Sequence, residues 1–474
     1  MPVQPIIVWF RQDLRLTDNP ALVQAAAADA PVIPLYVLDD RTQGQWGIRG
    51  AARWWLHRSL QSLDASLRDM GSSLLLRHGD AGQVIPRLVE ETGATAVYWN
   101  RCYEPRVIAR DSRIKESLGA TGMEAKSFNA ALLFEPWTIE TKTGGPYKVF
   151  TPFWRACSSG APPAEQVDAP KALTPSDPMP PGDTLDDWRL LPTSPDWAEE
   201  FGEHWTPGER GAQKSLDAFL TDRMASYPEG RDRPAEVLTS RLSPHLHFGE
   251  IGPRQIWQAI DRRKTGAEKF LAEIGWREFA HHLLYHFPAI PEENLRPAFD
   301  DFPWRDDADG LKAWQRGRTG YPIVDAGMRQ LWRTGWMHNR VRMIAASFLI
   351  KDLLIDWREG EKWFWDTLVD ADLANNAAGW QWVAGSGADA APFFRIFNPV
   401  TQGEKFDPAG AYVRKFVPEI AALPDKWIHH PWDAPDDVLE SAGITPGETY
   451  PHPIVDHKAA RQRALTAFKA IRTG

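Results

Sequence analysis

Apolar residues fall in short unbroken runs over the first quarter of the chain. PIIVWF (5–10), VIPLYVL (32–38), SSLLLR (72–77) and TAVYW (95–99) predict strands buried on both faces. Amphipathic stretches at 50–69 and 104–118 predict helices between them. Strands and helices in alternation over residues 5–128 imply a doubly wound parallel α/β sheet, a fold that takes ligands at the carboxyl ends of its strands. No G-x-G-x-x-G follows the first run, which argues against the usual nicotinamide site. The pattern breaks from 159 to 212, where ten prolines and 11 acidic against 3 basic residues predict a long ordered linker on the surface. Beyond about 213 the strand signals end. Helical periodicity at 213–224, 254–264, 267–285, 323–334, 336–355 and 360–369 predicts an all-α second domain. The expected division is 1–133 (α/β), 134–212 (linker) and 213–474 (helical).

Composition narrows the class. A chain of 474 residues exceeds one ordinary core, and 43% hydrophobic with 25% charged residues excludes wholesale disorder. No apolar run approaches the ~18 residues of a membrane span. The start MPVQPIIVWF lacks the basic region and cleavage site of a signal peptide, so a soluble cytoplasmic protein is expected. Two cysteines, Cys102 and Cys157, support neither a disulfide framework nor a cysteine metal site. Net charge is −9, yet residues 223–350 hold 19 basic against 16 acidic side chains. A basic face for nucleic acid therefore stays open. The 23 tryptophans suit core packing, and equally base stacking or electron transfer.

Four segments concentrate polar chemistry. Thr239, Ser240, Arg241, Leu242 and Ser243 set three hydroxyls and their backbone N–H groups before a predicted helix. Such a run suits a phosphate, although it also reads as an N-cap cluster. Glu273, Trp276 and Arg277 lie at i, i+3 and i+4 on one helix face, either as a surface ion-pair face or as a desolvated acid able to donate a hydrogen bond. Asn339 and Met343 share another face, flanked by Arg340 and Arg342, and Asp370, Asp372, Asn376, Trp380 and Trp382 follow. These acids match no metal-ligand spacing, and His338 is the one histidine in the preceding helix, so no metal is expected.

Longer text carries a resemblance. WFRQDLRLTDNPAL, TSRLS, WREF, TGYPIVDAGMRQL, GWMHNRVRMIAASFL, DLLIDWREGE and the stretch from GWQW through FFRIFNPVTQGEKFD resemble the DNA photolyase/cryptochrome family from end to end. They are most similar to its bacterial repair enzymes for cyclobutane pyrimidine dimers. The resemblance implies an N-terminal antenna-binding α/β domain and a C-terminal helical domain that binds FAD and DNA. It implies light-driven repair of the dimer by an electron from excited, reduced FAD.

Roles follow from the resemblance residue by residue. Tyr227 and Thr239–Ser243 resemble the clamp on the FAD phosphates and ribityl chain; Phe270, Arg277, Arg342, Asp370, Ala371 and Asp372 look like its further neighbours, with Arg342 and Asp370 paired beside the ring. Asn376 matches the residue facing flavin N5. Trp276 and Trp382 resemble the aromatic walls that grip a flipped-out dimer, and Glu273 and Asn339 its hydrogen-bonding partners, with Met343 beside them. Arg231, Arg340 and Gln402 match DNA contacts. Trp380, Trp357 and Trp304 resemble an electron relay to the surface, and Glu104 matches an antenna contact. The antenna implied is methenyltetrahydrofolate, with a deazaflavin or FMN as alternatives. Phe270 stands where relatives tend to carry Trp, and Ala377-Ala378 replaces an Asn-Gly type continuation. Damaged DNA is the expected partner of a monomer with no obligate protein partner.

Two other readings belong to the same family. A cryptochrome-type photoreceptor often carries a long disordered tail, whereas this sequence ends soon after a helical pattern; its Asn376 is also a neutral amide that does not readily donate a proton. A (6-4) photoproduct photolyase expects histidine near Met343, and methionine has no titratable proton.

Overall fold

The structure, a computed structural model, describes residues 4–389 and 394–473. The chain forms two compact units. The first comprises Met1–Ala225, Ser240–Pro288 and Val369–Ala374, and the second Ser226–Thr239, Ala289–Leu368 and Asn375–Gly474. These units do not follow the sequence blocks, because Ser240–Pro288 and Val369–Ala374 group with the N-terminal chain.

In the first unit, β1 (Ile6–Phe10), β2 (Val32–Leu38), β3 (Leu75–His78), β4 (Ala96–Asn100) and β5 (Glu124–Phe128) form one sheet in the order β3-β2-β1-β4-β5. All neighbours are parallel; Ile7 faces Ile33 on one side and Val97 on the other. The predicted runs match β1 to β4 with small shifts at 72–77 and 95–99. β5 is a correction: EAKSF carries no apolar run because an edge strand buries little. Helices α1 (Pro20–Ala26), α2 (Gly50–Asp69), α3 (Ala81–Thr92) and α4 (Pro105–Ala120) accompany the strands. Ile7, Trp9, Leu35, Val97 and Trp99 pack with Ile85 and Leu88 of α3 and Ile114 of α4 in one buried cluster. Each such side chain removed from water contributes ~1.5–3 kcal/mol.

Strand order reverses at β1, whose carboxyl end is filled by the chain's own charges. Arg11 binds Asp111 at 2.6 Å, Asn100 Nδ2 donates to Asp13 at 2.6 Å, and the guanidinium groups of Arg11 and Arg110 lie 4.3 and 4.7 Å from the Trp9 ring centre. Residues 160–185, without regular helix or strand, return to the sheet: Val32 N donates to Thr174 O, and Asp183 N to Leu76 O. Helix α5 (Phe150–Ser159) packs against α6 (Ala267–His286), which explains why the latter joins this unit. Gly275 is the close contact, since a Cβ there would meet Trp154 at 2.5 Å.

The second unit is helical among its described residues. Its helices include α7 (Pro322–Thr334), α8 (Asn339–Ser347), α9 (Trp357–Thr367), α10 (Leu373–Ala384, whose first two residues belong to the first unit), α11 (Pro399–Phe406) and α12 (His457–Thr473). The predicted helix 336–355 is shorter. Gly335, at φ +64°, ends α7, His338 starts α8, and the chain then widens into a π-helical turn, Phe348–Asp352. Helix α9 meets α10 where Gly360 leaves room for the Trp380 indole; a Cβ there would lie 2.1 Å from Trp380 Cη2. Trp380 is buried against Phe364 and Trp314, at ring-centre distances of 4.9 and 6.2 Å.

One stability prediction comes from this packing and another from a buried carboxyl of the first unit. Gly360→Ala should cost about 1–3 kcal/mol in urea unfolding, because the indole must move. Gly379→Ala on α10, where a Cβ meets nothing within 4 Å, should be neutral or stabilising by helix propensity. The other concerns Glu278, whose Oε2 accepts from Leu133 N at 2.9 Å and Phe134 N at 3.1 Å. Burial, opposed by Arg277 and these N–H groups, pushes its carboxyl up from 4.5 to about 7. Between those values the folded chain holds a proton that the unfolded chain has lost. Its contribution, on the order of 3 kcal/mol, is full below pH 4.5 and is lost as pH rises through 7. Urea unfolding at pH 5, 6 and 7 should show this decline in the wild type, and Glu278→Gln should flatten it.

Candidate functional site

The residues singled out in the sequence divide between the two units, and each group has its own geometry. In the first unit, Ser240, Arg241 and Leu242 form a turn with Arg241 in the left-handed region, φ +56°, before a short helix that Ser243 opens. Leu242 N donates to Ser240 Oγ, so one hydroxyl shapes the turn itself. The Arg241 guanidinium lies 4.1 Å from the Trp205 ring centre. Burial and then Arg223 push it down to about 10. A cation held at such cost is stabilised by an anion.

Helix α6 carries Phe270, Glu273, Trp276 and Arg277. Phe270 is buried against Phe219 at 4.3 Å, so it packs in place of the larger Trp. Trp276 is half-buried, with the Phe150 ring stacked on one face at 3.8 Å. Glu273 keeps 25% of its side-chain exposure and lies 3.8 Å from Lys269, one helical turn away. The neighbouring cation is Lys269 and not the Arg277 of the expected ion-pair face, and Glu273 stays partly exposed.

Arg277 donates to Ala131 O at 2.8 Å, and its own carbonyl accepts from His281 Nδ1 at 3.0 Å. That bond turns His281 Nε2 towards Asp372, 3.5 Å away, while His247 stands at 3.8 Å. Burial pushes His281 down, against the pull of Asp372. Burial also opposes the charge of Asp372, yet His281, His247 and Arg277 outweigh it and hold the carboxyl far below its usual range. Asp370 and Ala371 are buried beside Asp372 in the same connection. Sequence reasoning missed His281 and His247; the i, i+4 spacing of Arg277 and His281 was the available signal. Glu104, at the N-terminus of α4, is buried, with Oε1 accepting from Gln12 and Oε2 without a hydrogen-bond partner among the described residues.

In the second unit α8 presents Asn339, Arg340, Arg342 and Met343. His338 caps the helix, its Nδ1 accepting from Arg340 N at 3.2 Å. Burial pushes this imidazole down to about 4, so it stays neutral and able to accept. Asn339 is exposed. Arg340 donates twice to Asp232, at 2.7 and 3.1 Å, reaches Met343 Sδ at 3.8 Å, and lies over Phe406. Asp232 is a second partner that the sequence did not reveal. Arg342 donates to Met337 O at 2.7 Å, and Arg231 lies 5.8 Å from the ring centre of the buried Tyr227. Thr239 and Gln402 are half-buried.

Asn376, half-buried on α10, donates to Glu361 O at 3.1 Å. Glu361 is fully buried, neither carboxylate oxygen has a hydrogen-bond partner among the described residues, and burial raises it well above the usual carboxyl range. Of the tryptophans named as a relay, Trp357 donates to Asn294 at 3.0 Å, Trp304 is half-buried 4.4 Å from Phe302, and Trp380 fills the notch at Gly360. Trp382 is half-buried and lines a cavity with Ser347, Lys351 and Phe394.

This donor set fits FAD. Hydroxyls and a destabilised guanidinium suit a diphosphate, and a buried carboxylate that stays ionised suits an N–H or hydroxyl donor. Among the described residues no group of three or more histidine, cysteine or acidic side chains could hold a metal ion. No described helix is long and apolar enough to cross a membrane.

Comparison with known proteins agrees with this chemistry. Residues 270–470 match the FAD binding domain of DNA photolyase, and residues 6–172 match the DNA photolyase family. A deoxyribodipyrimidine photo-lyase of Agrobacterium fabrum is 55% identical over 99% of this chain and 98% of its own. Cryptochrome-2 of Arabidopsis thaliana is 40% identical over 98% of this chain and 79% of its own. The crystal structure of a bacterial class III photolyase from Agrobacterium tumefaciens superposes with a TM-score of 0.96 at 54% identity, covering 100% of this chain and 99% of the other. An N-terminal parallel sheet, a helical FAD-binding region and likeness along the whole length place this chain in the DNA photolyase/cryptochrome family.

Proposed function

We propose that this chain is a deoxyribodipyrimidine photo-lyase that repairs cyclobutane pyrimidine dimers in damaged DNA with light. The observation that supports it most is the 55% identity with a bacterial photo-lyase through 99% of the chain. FAD, once bound and reduced, supplies on excitation an electron that opens the cyclobutane ring and is then returned. The chain's part is to bind, orient and shield. Ser240, Arg241 and Ser243, with Tyr227 and Thr239, hold the phosphates and ribityl chain; Arg277, Arg342, Asp370, Asp372 and Asn376 surround the ring. A neutral amide at Asn376, backed by the carbonyl of Glu361, suits a reduced ring that must remain anionic.

The damaged nucleotide is flipped out of the duplex at a cost of a few kcal/mol. Trp276 and Trp382 grip it, each stacked base gaining about 1–3 kcal/mol. Asn339, exposed at the start of α8, and Glu273 hydrogen-bond the pyrimidine carbonyls and imides, with Met343 beside them. Glu273 stabilises charge as it develops on a carbonyl oxygen, in the manner of an oxyanion hole. Arg231, Arg340 and Gln402 contact the DNA around the lesion, and Asp232 sets the direction of the Arg340 guanidinium.

In this reading residues 1–133 hold an antenna chromophore and 213–474 hold FAD and DNA. Methenyltetrahydrofolate is favoured as antenna, because the buried Oε2 of Glu104 offers an acceptor for a pterin N–H. The protein works as a cytoplasmic monomer.

Illumination of the reduced protein with dimer-containing thymine oligonucleotides should restore the thymines. Glu273→Ala should lower the quantum yield while FAD stays bound. Lack of turnover under saturating light would shift the reading to a cryptochrome-type photoreceptor, and an unchanged yield would remove Glu273 from the chemistry. Trp380→Phe tests the relay apart from repair. Phenylalanine keeps most of the packing but is far harder to oxidise, so photoreduction of oxidised FAD should vanish. Repair with chemically pre-reduced flavin should survive.

A further inference from the structure

Helix α8 does not end in a cap. It runs on into the π-helical turn Phe348–Asp352, closed by Leu353 N donating to Phe348 O at 3.1 Å. A π-turn is rare and is kept where it places a side chain that an α-turn would not. Here that side chain is Lys351, 3% exposed. Its Nζ donates to Arg395 O at 2.6 Å and lies 4.2 Å from the Phe394 ring centre. One turn earlier, Ser347 Oγ accepts from Phe397 N at 3.3 Å. Two side chains of one helix end thus hold the segment Phe394–Phe397. Phe394 stacks in turn on Phe468 of α12, 4.5 Å away and 7° from parallel. Ser347, Lys351, Phe394 and Phe397 line the same cavity as Trp382.

We propose that Lys351 is a positioning residue for lesion binding: it holds the segment Phe394–Phe397 in the shape that forms the wall beside Trp382. The proposal rests on the repair reading above, in which Trp382 grips the dimer. An ammonium is a poor choice for packing alone, since burial costs free energy that a methionine would avoid. Burial pushes Lys351 down to about 7, with Asp352 opposing and Arg395 adding to the shift. Asp352 is itself committed elsewhere: its Oδ1 accepts from His457 at 2.6 Å and its carbonyl from Arg463 at 2.7 Å. The bond to Arg395 O is therefore the specific product of this costly arrangement. That carbonyl belongs to the segment joining Trp382 on α10 to Gln402 on α11.

Lys351→Met in the FAD-loaded protein should raise the Kd for a dimer-containing oligonucleotide about tenfold, the loss of one charged hydrogen bond. FAD content and the quantum yield at saturating DNA should not change. With Trp382→Ala already present, the same substitution should add nothing, because both act on one wall. An unchanged Kd in FAD-loaded Lys351→Met, or additive losses in the double variant, would overturn the proposal. Should Lys351→Met lose FAD, Lys351→Gln and amide hydrogen exchange decide: faster exchange at Phe397 N is expected, and wild-type protection there would refute the role. Wild-type repair is measured alongside. Failure to repair would sink the repair reading, whereas exchange at Phe397 reports on Lys351 in either case.

Discussion

Ionisable groups taken out of water are the constraint around which this molecule is built. An unpaired charge in a low-dielectric interior costs several kcal/mol, so each one must find partners or lose its charge. Asp372 finds partners: His281, His247 and Arg277 keep it ionised and tie the connection Val369–Ala374 to α6. Arg241 and Lys351 are destabilised as cations by the same burial, the first in a turn suited to phosphates and the second against a backbone carbonyl. Glu278 and Glu361 take the other course, with burial favouring their protonated forms. Several of these groups belong to the proposed flavin and lesion sites or adjoin them, which accords with charge being retained where function uses it.

Helix starts position several side chains of the second unit to which the proposed function assigns roles. Asn339 and Arg340 follow the cap His338, Trp357 follows Asp356, and Gln402 lies four residues beyond Asn398. Each cap satisfies backbone N–H groups that would otherwise be orphaned, and so fixes where the helix begins. The direction of the side chains that follow is set with it. His338 can do this because burial keeps it neutral.

Tryptophan abundance has a plain explanation for much of the chain. Trp9, Trp55 and Trp99 are fully buried packing residues of the first unit, and Trp314 of the second. Those tied to the proposed chemistry are set apart by what surrounds them: Trp276 under Phe150, Trp380 in the notch at Gly360, Trp382 on a cavity.

Hydrophobic periodicity alone was enough for β1, β2, α2 and α6, whose buried positions repeat in unbroken or helical order. It was not enough for β5, an edge strand with little to bury, nor for the end of α8, where a π-turn keeps a helical pattern while changing its geometry. The long motifs were legible as family text, and they named Arg277, Asn339 and Asp372 without any structure. Partners were another matter. That Arg340 is bound by Asp232, and that Lys351 holds Arg395, depend on which surfaces meet. Sequence records local preference, which acts over a few residues. The state of a charge depends on every group within a few ångströms, and only the folded chain decides which groups those are.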